Sequence, residues 1–339
     1  MKILLSSSHF HFNPKVDENK YYHSTGLTVK VFYQALKTFG EVDIINDKDT
    51  PSGLDYDLLV SWPRNYDFLK RNNKFGKKIV FLNAPEPQYL RSVLVPEAYR
   101  LGCKVSDCFY FKGINDADRY FVLGGQFNRD RYVEAGVPNE KIFDAWYNTD
   151  KVPFKKRDKN KKTVFLHMAT TLGLRKGFWW VVNDFLKANV DAELWLVGKV
   201  QKEKFWIDTA TNAVKDPRIK MIGWVDFESQ RQNELYQTAD FMVFPTFGEG
   251  QAGTVIEAMN SGCLPITNPE SGVTGFNPLG SYNRGDESIY QKAVDMSNSE
   301  FHYMQGRLQE FFMKRYNNDR FINYVIEKIE HCNGTIITF

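Results

Sequence analysis

Apolar residues in this chain fall into short unbroken runs, and the segments between them carry apolar positions at helical spacing. Lys2–Ser6 is the first such run. After a polar loop, GLTVKVFYQALKTFG (26–40) repeats its apolar positions with helical period and stops at Gly40, which predicts a helix with a glycine end. Val42–Ile45, Asp57–Ser61, Lys78–Leu82 and Arg119–Leu123 read as four further strands, and the rigid turn NAPEP follows Leu82. Beyond residue 162 the alternation is sharper. Strands are predicted at Thr163–His167, Glu193–Val197, Ile219–Ile222, Phe241–Phe244 and Leu264–Ile266. Helices are predicted at Gly177–Ala188, Phe205–Val214, Ser229–Thr238 and Ala252–Asn260, and from about Ser288 the tail reads as helices rich in Phe, Tyr, Lys and Glu.

Strands that are apolar throughout, rather than at alternate positions, are buried on both faces, and the intervening helices supply the covering layers. The expected class is α/β, with Rossmann-like, doubly wound parallel sheets. A chain of 339 residues exceeds one ordinary core and suits two domains of about 150 residues each. The pattern breaks between Asn148 and Lys162, where KVPFKKRDKNKK (151–162) is charged, contains a proline and has no apolar period. We expect one domain over 1–150 and a second over 151–317, with a C-terminal helix over about 318–339 packing back on the first. The two domains are expected to face each other across a cleft. In open α/β sheets ligands bind beyond the carboxyl ends of the strands, which directs attention to the loops after Val197, Ile222 and Phe244.

Composition narrows the function classes. A formal net charge of +3 lacks the basic excess of a dedicated nucleic-acid binder. The basic run at 151–162 reads as a solvated connector; its alternative is a patch touching anionic lipid head groups, a peripheral membrane contact. The four cysteines, Cys103, Cys108, Cys263 and Cys332, form no C-x-x-C pair. That disfavours a disulfide framework or zinc site and points to a reducing, cytoplasmic setting. MKILLSSSHF is too short for a signal peptide and no run approaches the ~20 apolar residues of a membrane span. The sequon at Asn333 is read as chance.

Chemistry concentrates in the loop after Phe244, PTFGEGQAG (245–253). Its glycines let backbone approach a ligand closely, and the helix that follows begins with unpaired N–H groups and a partial positive charge suited to phosphate. Glu249 stands just ahead of that start. Glu257 lies roughly one and a half turns inside it, by helix pitch. Carboxylates only accept hydrogen bonds, so hydroxyls or cations are their partners. Two of them flanking a phosphate-friendly helix start fit a nucleotide-sugar. The plain alternative for Glu249 is an acid complementing the helix dipole. The plain alternative for Glu257 is a solvent-facing residue, but its neighbours Val255, Ile256, Ala258 and Met259 are apolar, so it needs a buried partner. In LGLRKGF (172–178), Arg175 and Lys176 at a helix entry can hold phosphate oxygens. No G-x-x-x-x-G-K-[ST] occurs and no G-x-G-x-x-G follows a strand, which disfavours a P-loop and a nicotinamide cofactor. No metal-ligand cluster is seen, and no cofactor or metal is expected.

The order RKGF, LWLVG, IGWV, ADFMVFPTFGEG and EAMNSGCLPI resembles the donor domain of GT-B retaining glycosyltransferases of the family 4 type. The resemblance covers most of residues 110–280 and is specific over 163–275. It implies that Glu249 faces the donor sugar, Glu257 binds the nucleotide ribose and Lys176 neutralises the diphosphate. Backbone around Gly250, Gln251, Ala252 and Gly253 would complete the diphosphate site. Trp224 and Val225, after Gly223, would contact the base, with Gly198 and Lys199 beside it. The family arginine five or six residues before the lysine is replaced here by Thr171 and Thr170, and Arg175 stands as its substitute. Gln251 and Ala252 replace the usual Phe-Gly. On the acceptor side the candidates are His9, His11, Gly26, Asn83 and Glu86, with His23 also in the first loop. The implied partners are a nucleotide-diphosphate sugar and a glycan or lipid-linked acceptor. Two alternatives remain open at this point: a binding module without turnover, and a nucleotide-sugar epimerase.

Overall fold

The computed structural model describes all residues except 21–22, 106–112, 148–153, 228, 317 and 334–339. Cys108, Tyr21, Tyr22, Tyr110, the start of the basic connector and the end of the sequon therefore lie outside the described residues. In chain order the regular elements are β1 (Lys2–Ser7), α1 (His23–Lys37), β2 (Glu41–Asn46), β3 (Asp55–Ser61), α2 (Pro63–Asn72), β4 (Lys74–Leu82) and α3 (Pro87–Leu101). Then come β5 (Arg119–Leu123), α4 (Gly125–Glu134), β6 (Ile142–Ala145), β7 (Thr163–Leu172), α5 (Phe178–Ala188), β8 (Ala192–Val200), α6 (Lys204–Ala213) and β9 (Ile219–Gly223). The remainder are α7 (Gln230–Thr238), β10 (Phe241–Phe244), α8 (Gly253–Asn260), β11 (Leu264–Thr267), α9 (Ser288–Asp295), α10 (Asn298–Arg315) and α11 (Asn318–Asn333).

The chain divides into two compact units, Met1–Pro87 with Phe109–Thr149 and Tyr316–Phe339, and Gln88–Cys108 with Asp150–Arg315. The first holds a parallel sheet in the order β2-β1-β3-β4-β5-β6. Strand interiors such as Ile3, Leu4, Leu58, Leu59, Val80 and Phe121 are fully buried, as expected where helices cover both faces. Helix α11 packs on α1, with Phe321 set 5.6 Å from Phe32 and 4.8 Å from Trp146, ring centre to ring centre. Gly26 lies within α1, not ahead of it, because the helix starts at His23.

The second unit has the order β11-β10-β7-β8-β9, every pair parallel. All four residues of β10, Phe241 to Phe244, are buried, and Phe165 of β7 packs edge-on against Tyr290 of α9. Helix α3 clusters with this unit. The Trp180 indole donates to Glu97 at 2.8 Å, and the Arg100 guanidinium lies 4.9 and 4.8 Å from the rings of Trp179 and Trp180. The connector is less of a free tether than its charge implies. Arg157 donates to Asp240 at 2.7 Å and to the Ala239 carbonyl at 2.5 Å, while Lys159 caps α9 through the carbonyls of Val294 and Met296. Lys155, Lys156, Lys161 and Lys162 stay exposed. Among the described residues no helix is long and apolar enough to cross a membrane.

Candidate functional site

In the second sheet the strand order reverses between β7 and β10, and the loops leaving a doubly wound sheet at such a point diverge to opposite faces and open a crevice. The loops after these two strands carry the LGLRKGF and PTFGEGQAG segments. Their contact is set by a glycine. Gly177 adopts φ +72°, and a Cβ there would lie 2.1 Å from the Pro245 carbonyl oxygen. Only glycine permits both that backbone conformation and that approach. The Lys176–Gly177 step thus lays Lys176 against the second loop, with its ammonium 5.5 Å from the centre of the Phe244 ring.

The second loop is buried and held by its backbone. Phe247 N–H donates to the Arg175 carbonyl, Glu249 N–H to the Glu270 carbonyl and Ala252 N–H to the Ser271 carbonyl, each at 2.8 Å. Thr246 Oγ1 donates to the Arg175 carbonyl at 2.7 Å and accepts from Gly248 N–H at 3.2 Å. One carboxylate oxygen of Glu249 then receives both cations, Arg175 Nη1 at 2.8 Å and Lys176 Nζ at 2.5 Å. The three side chains are only 11% to 16% exposed. Burial pushes the Glu249 carboxyl up, but Arg175 and then Lys176 more than offset it, and the group sits below the ordinary carboxylate range; the attraction of the two cations therefore wins over desolvation. Two cations against one carboxylate leave an excess positive charge, suited to an anion.

The start of α8 lies just beyond. Its first residue is Gly253, one later than the spacing predicts. Ala252 N–H is turned onto Ser271, so this amide does not point toward a ligand as the resemblance implies; the Ala252 carbonyl instead accepts the first helical bonds from Val255 and Ile256. Gly253 and Thr254 sit where the first-turn N–H groups have no acceptor within the helix. The Gln251 side chain is buried and donates to the Gly272 carbonyl at 3.2 Å. Glu257 is 6% exposed and has the buried partner its setting demands: it accepts from Tyr236 Oη at 3.0 Å and Gln232 Nε2 at 3.5 Å, both on α7.

At the carboxyl ends of β8 and β9 the structure brings Lys199, within β8, and Trp224, just past β9, together. The ammonium lies 4.4 Å from the indole centre, and the indole N–H donates to Asp226 at 2.9 Å. Trp224 is 45% exposed, an open aromatic face, and Val225 is half-buried. Gly198 does not end its strand. It continues β8 at φ +140°, where a Cβ would lie 2.0 Å from the Ala169 carbonyl oxygen, beside the irregularity in β7 between Met168 and Thr171. Sheet packing is reason enough for that glycine. Thr171 pairs with Lys199 in the same ladder.

In the first unit the order reverses between β1 and β3. His9 and His11 follow β1, and His11 packs 5.8 Å from Trp62, which follows β3. Burial pulls His9 below its ordinary pKa against the opposing field of Asp49. Asn83 and Glu86 follow β4, and Glu86 is 6% exposed. Residues that the sequence did not single out are Thr246, Glu270 and Arg284 around the Glu249 loop, and Gln232 and Tyr236 beside Glu257. Only Thr246 lies inside a motif; the others carry no local signal. Among the described residues no group of three or more His, Cys, Asp or Glu is placed to hold a metal.

Comparison with known proteins agrees with this architecture. Residues 162–277 match the model of the glycosyl transferases group 1 domain. No curated protein matches the sequence. Among solved structures, sucrose-phosphate synthase from Thermosynechococcus elongatus aligns over 98% of this chain and 99% of its own, with TM-score 0.70 and 13% identity. Anabaena HepE, in complex with UDP and glucose, aligns over 99% and 100%, with TM-score 0.63 and 14% identity. S. aureus TarM, in a complex containing UDP, fondaparinux and alpha-GlcNAc-glycerol, aligns over 91% of this chain at TM-score 0.58 and 13% identity; the chain spans 58% of its length. At these identities the likeness is one of fold, and the fold is GT-B.

Proposed function

We propose that the protein is a retaining glycosyltransferase of the family 4 type, moving a sugar from a nucleotide-diphosphate donor to an acceptor hydroxyl. One observation carries the reading: Arg175, Lys176 and Glu249 meet at the switch point of the second sheet, ahead of the start of α8. The transition state of such a transfer gathers negative charge on the leaving diphosphate and positive charge on the sugar. Arg175, Lys176 and the first-turn amides of α8 answer the former, as preorganised dipoles and charges do best. Glu249 faces the sugar hydroxyls. Arg175 stands in for the arginine that Thr170 and Thr171 lack. Glu257 reaches the ribose, and Trp224 with Lys199 borders the base. Leaving oxygen and entering hydroxyl share one face of the sugar.

The acceptor, a glycan or a lipid-linked hydroxyl, belongs to the first unit, near His9, His11, Asn83 and Glu86. The exposed lysines at 155, 156, 161 and 162 would support peripheral contact with an anionic membrane from the cytoplasmic side. HepE and TarM were described with UDP, which makes uridine donors the first to test. The test is a panel of UDP- and GDP-sugars, with release of the nucleoside diphosphate and binding by calorimetry both measured. Slow hydrolysis of one donor supports an enzyme, and binding without hydrolysis supports a module without turnover. Free epimerised sugar marks an epimerase, and binding of none refutes the reading.

A further inference from the structure

Arg284 lies beyond the matched domain, which ends at residue 277, and no part of the reading above uses it. Its backbone is fixed on both sides. Asp184, fully buried in α5, accepts from Tyr282 Oη at 2.5 Å and from Gly285 N–H at 2.8 Å. Tyr282 N–H in turn donates to the Thr267 carbonyl at 2.9 Å. From this anchored segment the guanidinium reaches the Glu249 loop. Nη1 donates to the Thr246 carbonyl at 2.7 Å, Nη2 to the Glu270 carboxylate at 3.2 Å, and the plane lies 4.0 Å from the Phe247 ring centre. The Glu270 carbonyl is the acceptor for Glu249 N–H. One side chain therefore ties together residues 246–247 on one flank of Glu249 and the residue that holds its amide on the other.

We infer that Arg284 is a positioning residue for Glu249. The loop contains Gly248, Gly250 and Gly253, and a glycine-rich segment has the most conformational freedom to lose. A planar fork that bonds a carbonyl and a carboxylate while stacking on an aromatic ring removes that freedom with one residue. Lysine keeps the charge but loses the fork. The Glu249 carboxylate would then lose one of the supports that aim it at Lys176 and Arg175, beside the bonds of Thr246 and Phe247 to the Arg175 carbonyl. The inference rests on the proposed transfer activity. It goes beyond it by assigning control of catalytic geometry to a residue whose own contacts run to Thr246, Phe247 and Glu270.

The test compares wild type, Arg284→Ala, Arg284→Lys and Glu270→Gln, using UDP and GDP for calorimetry and the donor that wild type hydrolyses for kinetics. Arg284→Ala should lower kcat between tenfold and a hundredfold, with the diphosphate bound no more than about threefold more weakly than by wild type. Arg284→Lys should recover only part of the loss. Combining Arg284→Ala with Glu270→Gln should cost little beyond Arg284→Ala alone, because both cut one tie. A folded Arg284→Ala with wild-type kcat overturns the inference. So does a parallel loss of kcat and diphosphate affinity, which marks general loosening of the fold, and so does full recovery by lysine. If wild type binds and hydrolyses no donor, the parent reading fails and takes this one with it, an outcome distinct from an active Arg284→Ala.

Discussion

Glu249 in this structure occupies the two cations that the proposed diphosphate needs, and Glu249→Gln turns that fact into a measurement. Both contacts fall on one oxygen, at 2.8 Å from Arg175 and 2.5 Å from Lys176. Two unit charges about 4 Å apart attract by roughly 4 kcal/mol at an effective dielectric of about 20. An entering diphosphate must displace the carboxylate and then tolerate it nearby. It regains most of the lost attraction from its own charge, so only a fraction of those sums appears as a difference between variants. A residual of about 1.4 kcal/mol corresponds to a tenfold change in Kd. Glutamine keeps the shape and removes the charge, and the loop does not depend on the ion pair for its course, since Phe247, Glu249 and Ala252 are held by backbone bonds. Glu249→Gln should therefore bind the diphosphate about tenfold more tightly while losing at least a hundredfold in sugar transfer. The assay is calorimetry with UDP and GDP at low and high salt, beside donor turnover. A folded variant that binds the diphosphate as weakly as wild type, or more weakly, refutes the reasoning, because the carboxylate would then not compete for the cations.

Lys176→Ala should weaken diphosphate binding at least tenfold by calorimetry, since it removes one of the two cations. Gly177→Ala should destabilise the second unit by about 2–4 kcal/mol in urea unfolding, because it adds a Cβ at positive φ against a backbone carbonyl; a loss under 0.5 kcal/mol, taken as roughly the size of a neutral surface change, would show that the two loops do not touch there. His167 is fully buried, and desolvation pushes it down from 6.5 to about 4. Between those values the unfolded chain takes up a proton that the folded one refuses, so stability present above pH 6.5 is lost as pH falls towards 4, by up to roughly 3 kcal/mol. A His167→Gln variant should lack that slope in urea titrations at pH 7.5 and 5, and an unchanged slope would count against the burial.

Strand Phe241–Phe244 could be read to the residue, because four consecutive apolar positions between polar ends have only one place to go in a covered sheet. The helix α2 could not. Its sequence PRNYDFLKRN buries only Pro63, Asn65, Tyr66 and Leu69, and Asn65 is inside because it accepts from Ser6 on β1 at 2.8 Å, a partner 59 residues away. The short β6 is similar, with two of its four residues buried. The site divides the same way. Glu249, Lys176 and Gly177 announce themselves through local residue types. Arg284, Glu270 and Tyr236 act through partners brought close by folding alone, as in the bond from Arg284 to Thr246 across 38 positions. The resemblance puts Gly198 beside a ligand, and it does make a close approach, but the neighbour is the Ala169 carbonyl.

Helix α5 is the element that makes the site one object. Lys176 and Gly177 stand at its entry, where Gly177 fixes the distance to Pro245. Trp180, in its first turn, packs 3.3 Å from where a Cβ on Gly285 would be. Asp184, further along, holds the segment that carries Arg284. The paired cations, in the loop that enters α5, and the segment that carries Arg284 are thus both tied to one helix. Interactions aimed at a transition state help most if they need no rearrangement when charge develops, and loops anchored to one packed helix have less freedom to drift apart. A carboxylate buried in the middle of that helix would be a liability without partners. With Tyr282 and Gly285 donating to it, Asp184 has those partners, and it ties the segment that carries Arg284 to the helix whose entry carries Lys176.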